Sequence, residues 1–152
     1  MKLAEALIER ADLQKRVAQL QARIVANASY QEGEEPTEDA GELLDQCEGA
    51  LDELERLVTR INVTNTATTA SDGRSMTALL SAREALRQRH SILVAAADAA
   101  TFNRSHRQLR SELRQLSALP VAQIRERADS VARELRQLDI AIQSTNWEAD
   151  LI

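Results

Sequence analysis

The sequence predicts an all-α protein: an antiparallel helical bundle of two pseudo-repeated long helical hairpins, with a short extra helix before the last long helix. Three observations carry this expectation. Residues 51–65, LDELERLVTRINVTN, recur in degraded form 81 residues later as residues 132–146, ARELRQLDIAIQSTN; Glu53/Glu134, Leu54/Leu135, Leu57/Leu138, Ile61/Ile142, Thr64/Thr145 and Asn65/Asn146 are identical. A second, weaker repeat displaced by 73 residues aligns Leu7/Leu80, Arg10/Arg83, Leu13/Leu86, Arg16/Arg89 and Leu20/Leu93. Four Gly and two Pro leave few turns, and abundant Ala, Leu, Glu, Arg and Gln favour long helices.

The 152 residues, 43% of them hydrophobic, suit one domain with a real core. The boundaries read as hairpin one over 2–66, a polar connection over 67–74, and hairpin two over 75–147. Tyr30, Phe102 and Trp147 are the only aromatics, so Leu, Ala, Ile and Val must fill the core. A formal charge of −5 argues against general nucleic-acid binding, which needs a net basic face. Cys47 is the single cysteine and cannot form an intrachain disulfide; its position between Leu44 and Leu51 suggests a small core residue rather than a reactive thiol. Glu5 and Glu9 interrupt the apolar core that a signal peptide requires, which places the chain in the cytoplasm. The longest apolar run, residues 92–97, is far below the ~20 residues of a membrane span.

The first helix is expected over residues 3–28, with Leu3, Ala6, Leu13, Val17, Leu20 and Ile24 on one seam that Arg10 interrupts. In the acidic loop that follows, Asp39 and Glu42 have capping-box spacing, and the acids suit the positive end of a helix dipole. A cation site is the alternative, but the EF-hand pattern is absent. The second helix, about 40–64, takes Leu44, Cys47, Leu51, Leu54, Val58 and Ile61 as its seam, continued by Asn65. Asp72-Gly73 signals a turn. The third helix, about 75–100, carries Met76, Leu79, Leu86, Leu93, Ala97 and Ala100, with Arg83 and His90 at seam positions. Ser105 and Gln108 could cap a short helix carrying Leu109, Leu113 and Leu116, which Pro120 would end. The fourth, about 121–146, has Val121, Ile124, Ala128, Val131, Leu135, Leu138 and Ile142 on its seam.

An up-down-up-down order collects Arg10, Arg83, Asn62, Asn65, Gln143 and Asn146 at one end. A seam guanidinium must be paired, since a bare buried charge costs several kcal/mol. Either each arginine bonds helix-terminal carbonyls or a nearby acid, or the cluster holds an anion or small ligand. The other end collects the acidic loop and a basic face of Arg104, Arg107, Arg110 and Arg114, for which contact between loops, within or between molecules, is preferred over nucleic acid. His90 and His106 belong to no E-x-x-H or H-E-x-x-H motif, and no phosphate loop, Ser-His-Asp order or Cys-x-x-Cys pair exists. No catalytic residue, cofactor or metal ligand is therefore assigned.

The segments MKLAEALIERADLQKRVAQL, QEGEEPTED, LVTRINVTNTAT, DGRSMT and IQSTNW resemble the septicolysin or septicolysin-like family of small, mainly helical bacterial proteins, across nearly the whole chain. That resemblance implies a cytolysin. The chain departs from the family pattern over residues 105–119, where relatives look more extended.

The leading expectation is a non-enzymatic helical module that self-associates as a closed symmetric homo-oligomer or presents a surface to a protein partner, with Trp147, Leu151 and Ile152 in an exposed tail. A membrane-active lysin, inserting ILVAAADAATF of the third helix, is one alternative. Ligand binding at the Arg10/Arg83 end is the other.

Overall fold

The computed structural model describes residues 1–101 and 116–152. Its four helices are α1 (Leu3–Asn27), α2 (Ala40–Ala67), α3 (Met76–Ala100) and α4 (Val121–Glu148), and the protein is all-α. The expected short helix, with Leu109 and Leu113, lies outside the described residues. Leu116 lies within them and is exposed.

The chain forms two compact units. The first comprises residues 1–69 with 143–152, and the second residues 70–142. In the first, Leu3, Ala6 and Leu13 of α1 meet Leu57 and Ile61 of α2, while Leu20 meets Leu43 and Ala50. The early part of α1 thus faces the late part of α2, so the pair is antiparallel. In the second unit Met76 and Leu79 of α3 meet Leu138 and Ile142 of α4, and Leu93 and Ala97 meet Ile124, Ala128 and Val131.

The seam of α2 differs from the expected one. Leu43, Ala50, Leu57, Ile61 and Thr64 are buried, whereas Leu44 and Leu51 are 48% and 46% exposed. Both rows share Cys47, Leu54 and Ile61 and are rotated by one residue to either side of them. The buried row puts Ala50, instead of Leu51, beneath Leu20, and a small residue lets two helices approach closely. It is also the row repeated in α4, where Leu43, Ala50, Leu57, Ile61 and Thr64 correspond to Ile124, Val131, Leu138, Ile142 and Thr145, all buried. The repeat is thus one of packing: the clusters at Leu57/Ile61 and at Leu138/Ile142 are built from equivalent positions.

Local chemistry sets the helix ends. Asp39 Oδ1 accepts from the amides of Gly41 (2.7 Å) and Glu42 (3.1 Å) at the start of α2. Ser75 Oγ accepts from Ala78 N at α3, and the Pro120 carbonyl accepts from Ile124 N at α4. Helix α2 runs past residue 64, and its late threonines satisfy their hydroxyls by bonding backward along it, Thr64 Oγ1 to Arg60 O and Thr66 Oγ1 to Asn62 O. Gly73, with φ of 83°, occupies the left-handed region in the turn before α3. Asp72 braces that turn by accepting from Arg74 N and Nε.

The C-terminal end keeps Trp147 and Ile152 exposed, as expected, but is held through its backbone. Leu3 N donates to Ala149 O and Leu151 N to Met1 O, each at 2.9 Å, and Leu151 packs on the Leu57/Ile61 cluster. Ile152 N donates to the buried Thr64 hydroxyl, and Arg60 Nε donates to Ile152 O. Lys2 Nζ adds an ion pair to Asp150 at 2.9 Å. The second unit has the counterpart of one of these bonds, Ala70 N to Arg74 O at 2.8 Å, with Ala70 in the equivalent cluster.

Two predictions follow from this packing. Ile61 and Ile142 are both 1% exposed in equivalent clusters, so Ile61→Ala and Ile142→Ala should each lower stability by about 3 kcal/mol in urea unfolding. A loss below 1 kcal/mol at either site would contradict the buried seam. The Asp150 carboxyl is held below its ordinary value, first by the hydrogen bond from Lys2 and then by its charge. A depressed carboxylate stabilises above its unfolded pKa, and that contribution is lost as pH falls through the folded value. The protection of the Leu3 and Leu151 amides, measured relative to the intrinsic exchange rate at each pH, should therefore fall on acidification below the ordinary carboxylate range, and Asp150→Asn should flatten this dependence.

Candidate interaction surface

The structure distributes the residues of the expected polar cluster between the two units. Arg10, Asn62, Asn65, Gln143 and Asn146 belong to the first, and Arg83 belongs to the second. Asn62 and Gln143 are exposed, Asn65 is half-buried and Asn146 is buried. Arg83 has Asp139 within reach, Nη1 to Oδ1 at 3.8 Å. Arg10 differs: its Nε is buried with no hydrogen-bond partner among the described residues. The four arginines of the expected basic face, 104, 107, 110 and 114, and His106 lie outside the described residues. Trp147 falls within α4 and is 55% exposed.

The acidic loop between α1 and α2 is tied to α1 instead of standing free. Arg23 and Glu38 pair through both forks, with Arg23 Nε to Glu38 Oε2 at 2.9 Å, and Glu38 N donates to Asn27 Oδ1. The hydrogen bond from Arg23 holds the Glu38 carboxyl below the usual carboxylate range, and Glu38 in turn raises Arg23. Asp72 is lowered by its hydrogen bonds from Arg74. These exposed pairs fix loop geometry and add little stability.

A shallow groove of about 500 Å³ runs along α1 and α2, with Glu5, Glu9, Asp12 and Glu53 around Ile8 and Leu13. Asp12 is engaged by Lys15 at 3.2 Å. The second hairpin has Ala78, Ala82 and Ala85 where the first has Glu5, Glu9 and Asp12, so hairpin packing does not require those charges. Among the described residues no group of three or more His, Cys, Asp or Glu side chains is placed to hold a metal ion. His90 is half-buried on α3, and Cys47 is half-buried against the Leu20, Leu43 and Ala50 cluster.

The residues the sequence reading placed in the α2 core, Leu44 and Leu51, instead form an apolar surface row with the half-buried Val58. Glu48 and Glu55 lie along its border, both exposed. The equivalent positions of α4 are Arg125, Ala132 and Asp139. A hairpin of this kind is therefore built without large apolar side chains there. The sequence contained this signal, since only the buried row is apolar in both copies.

No helix among the described residues is long and apolar enough to cross a membrane. None of the curated proteins matches the chain. It is similar to a solved structure described as that of a functionally unknown conserved protein from Corynebacterium diphtheriae, at 38% identity and a TM-score of 0.93, over 100% of this chain and 99% of that one. Residues 10–151 match the model of a family described as a family of unknown function, DUF6847. This match overturns the resemblance to septicolysin, and the cytolytic activity expected from that name loses its basis. The chain belongs to the DUF6847 family.

Proposed function

We propose that this chain is a non-enzymatic helical module that works by self-association, with a homo-oligomer as its working form. The observation that carries the proposal is the α2 row of Leu44, Leu51 and Val58, spaced by seven residues and open along one helix face. Seven-residue spacing keeps a row in register with a second helix over several turns. The fold supplies no internal reason for the row, because the equivalent α4 positions carry Arg125, Ala132 and Asp139. Burying the two leucines against another copy removes apolar surface from water at ~25 cal/mol per Å². An exposed patch of up to a few hundred Å² is within what monomers tolerate, so the association is weak and concentration-dependent. The row is bordered by acids, which disfavours nucleic acid as its occupant.

Light scattering across a chromatographic peak should show molar mass rising with loading concentration and persisting when salt is raised. The double variant Leu44→Glu, Leu51→Glu should remain monomeric throughout while keeping its helical circular dichroism, since both positions are already half in water. A wild-type chain whose mass stays at the monomer value up to ~1 mM, the weak end of measurable affinities, would sink the proposal.

A further inference from the structure

The two hairpins differ at one position that the rest of their packing leaves equivalent. In the second unit, Arg83 on the α3 seam has the Asp139 carboxylate 3.8 Å away. The corresponding residues of the first unit are Arg10 on α1 and Val58 on α2. Where the second hairpin has an acid the first has a valine, and Arg10 Nε is buried without a hydrogen bond. Leaving such a donor unpaired costs about 1–3 kcal/mol. Val58 also closes the Leu44 and Leu51 row. The point at which a carboxylate is lacking therefore borders the open apolar face.

We infer that a second copy of the chain supplies this carboxylate: two copies set α2 beside α2 in parallel across a twofold axis, and Glu55 of each pairs with Arg10 of the other. The inference rests on the self-association reading and names its contacts. Leu44, Leu51 and Val58 of one copy would meet the same residues of the other. At 3.6 residues per turn, Glu55 and Glu48 project roughly 40° and 60° from Leu51 on the side away from α1, whereas the buried seam and Arg10 lie on the other side. A twofold axis parallel to the helices brings the acidic border of each copy to the Arg10 border of its mate. An antiparallel pair would set acid against acid, and like charges in contact are disfavoured. Glu55 is also at the right level, one residue from Leu54, which packs on the cluster containing Leu13, and three from Val58. One surface thus carries an apolar row with a bordering acid beside a part-buried arginine that makes no ion pair within its own chain among the described residues, which is what a self-complementary contact needs.

The test uses full-length Arg10→Glu and Glu55→Arg chains in sedimentation equilibrium, with circular dichroism to verify helicity. Each variant alone should associate at least about tenfold more weakly than wild type, because like charges meet in its homodimer. Mixed in equal amounts they should form a heterodimer at close to wild-type affinity, since both pairs then unite opposite charges. If wild type associates and either variant alone matches it, or the folded variants show no gain on mixing, the pairing is overturned while self-association stands. A wild type that is monomeric throughout overturns both. Val58→Asp tests the premise without placing an acid at residue 10. Copying the Asp139 arrangement should give Arg10 a partner in its own chain, raising the melting temperature and abolishing association. A lowered melting temperature, or association at wild-type strength, would overturn the inference.

Discussion

Each hairpin depends on burying a narrow row of aliphatic side chains without aromatic bulk. Tyr30 and Trp147 are both more than half exposed, so the described cores rest on Leu, Ile, Val, Met and Ala, and Thr64 and Thr145 are buried as well. Aliphatic helices gain most when they approach closely, because dispersion falls off within an ångström of contact. Ala6, Ala50, Ala97 and Ala128 stand at buried seam positions, where they leave room for the larger side chains across from them. The same closeness makes the seam sensitive to charge. A guanidinium at a seam position can find an acid, as Arg83 does, or leave a buried nitrogen without a hydrogen bond, as Arg10 does at Nε.

Most of the architecture was legible in the sequence because a helix repeats its environment every three or four residues. The seams of α1, α3 and α4 emerged from spacing alone. The α2 seam did not, and the reason is geometric: two apolar rows run side by side on that helix and share Cys47, Leu54 and Ile61. Choosing by side-chain size selects Leu44 and Leu51. Close packing selects Leu43, Ala50 and Leu57, and the α4 copy already carried the answer, since Leu57/Leu138 is an identity and Leu51/Ala132 is not.

The tail was illegible for a different reason. Its hold on the first unit is made of backbone hydrogen bonds from Leu3 and Leu151 and of an amide donated to a threonine hydroxyl. Main-chain groups carry no side-chain signature, so the tail was expected only to leave Trp147, Leu151 and Ile152 exposed. The unbonded Nε of Arg10 was equally hidden. Its seam position was evident, but the acid that answers Arg83 lies in another helix, and only the folded pairing of α3 with α4 shows that the corresponding α2 residue is Val58.

An internal repeat has a use beyond architecture, because each copy is a control for the other under one set of physical rules. Positions that are apolar and buried in both, such as Leu57/Leu138 and Ile61/Ile142, report what the hairpin needs. Positions that differ report what it does not need. By that criterion the acids at Glu5, Glu9 and Asp12, against Ala78, Ala82 and Ala85, are dispensable to packing. The Leu44, Leu51 and Val58 row is also dispensable to packing, and leaving it open has a cost: exposed apolar area at Leu44 and Leu51, with the Arg10 Nε buried and unbonded nearby. Both penalties fall on the same face, and a single contact that covers that face with an apolar row and a carboxylate removes both. Under the proposed self-association, the asymmetry between the copies points to the first hairpin, and to α2 within it.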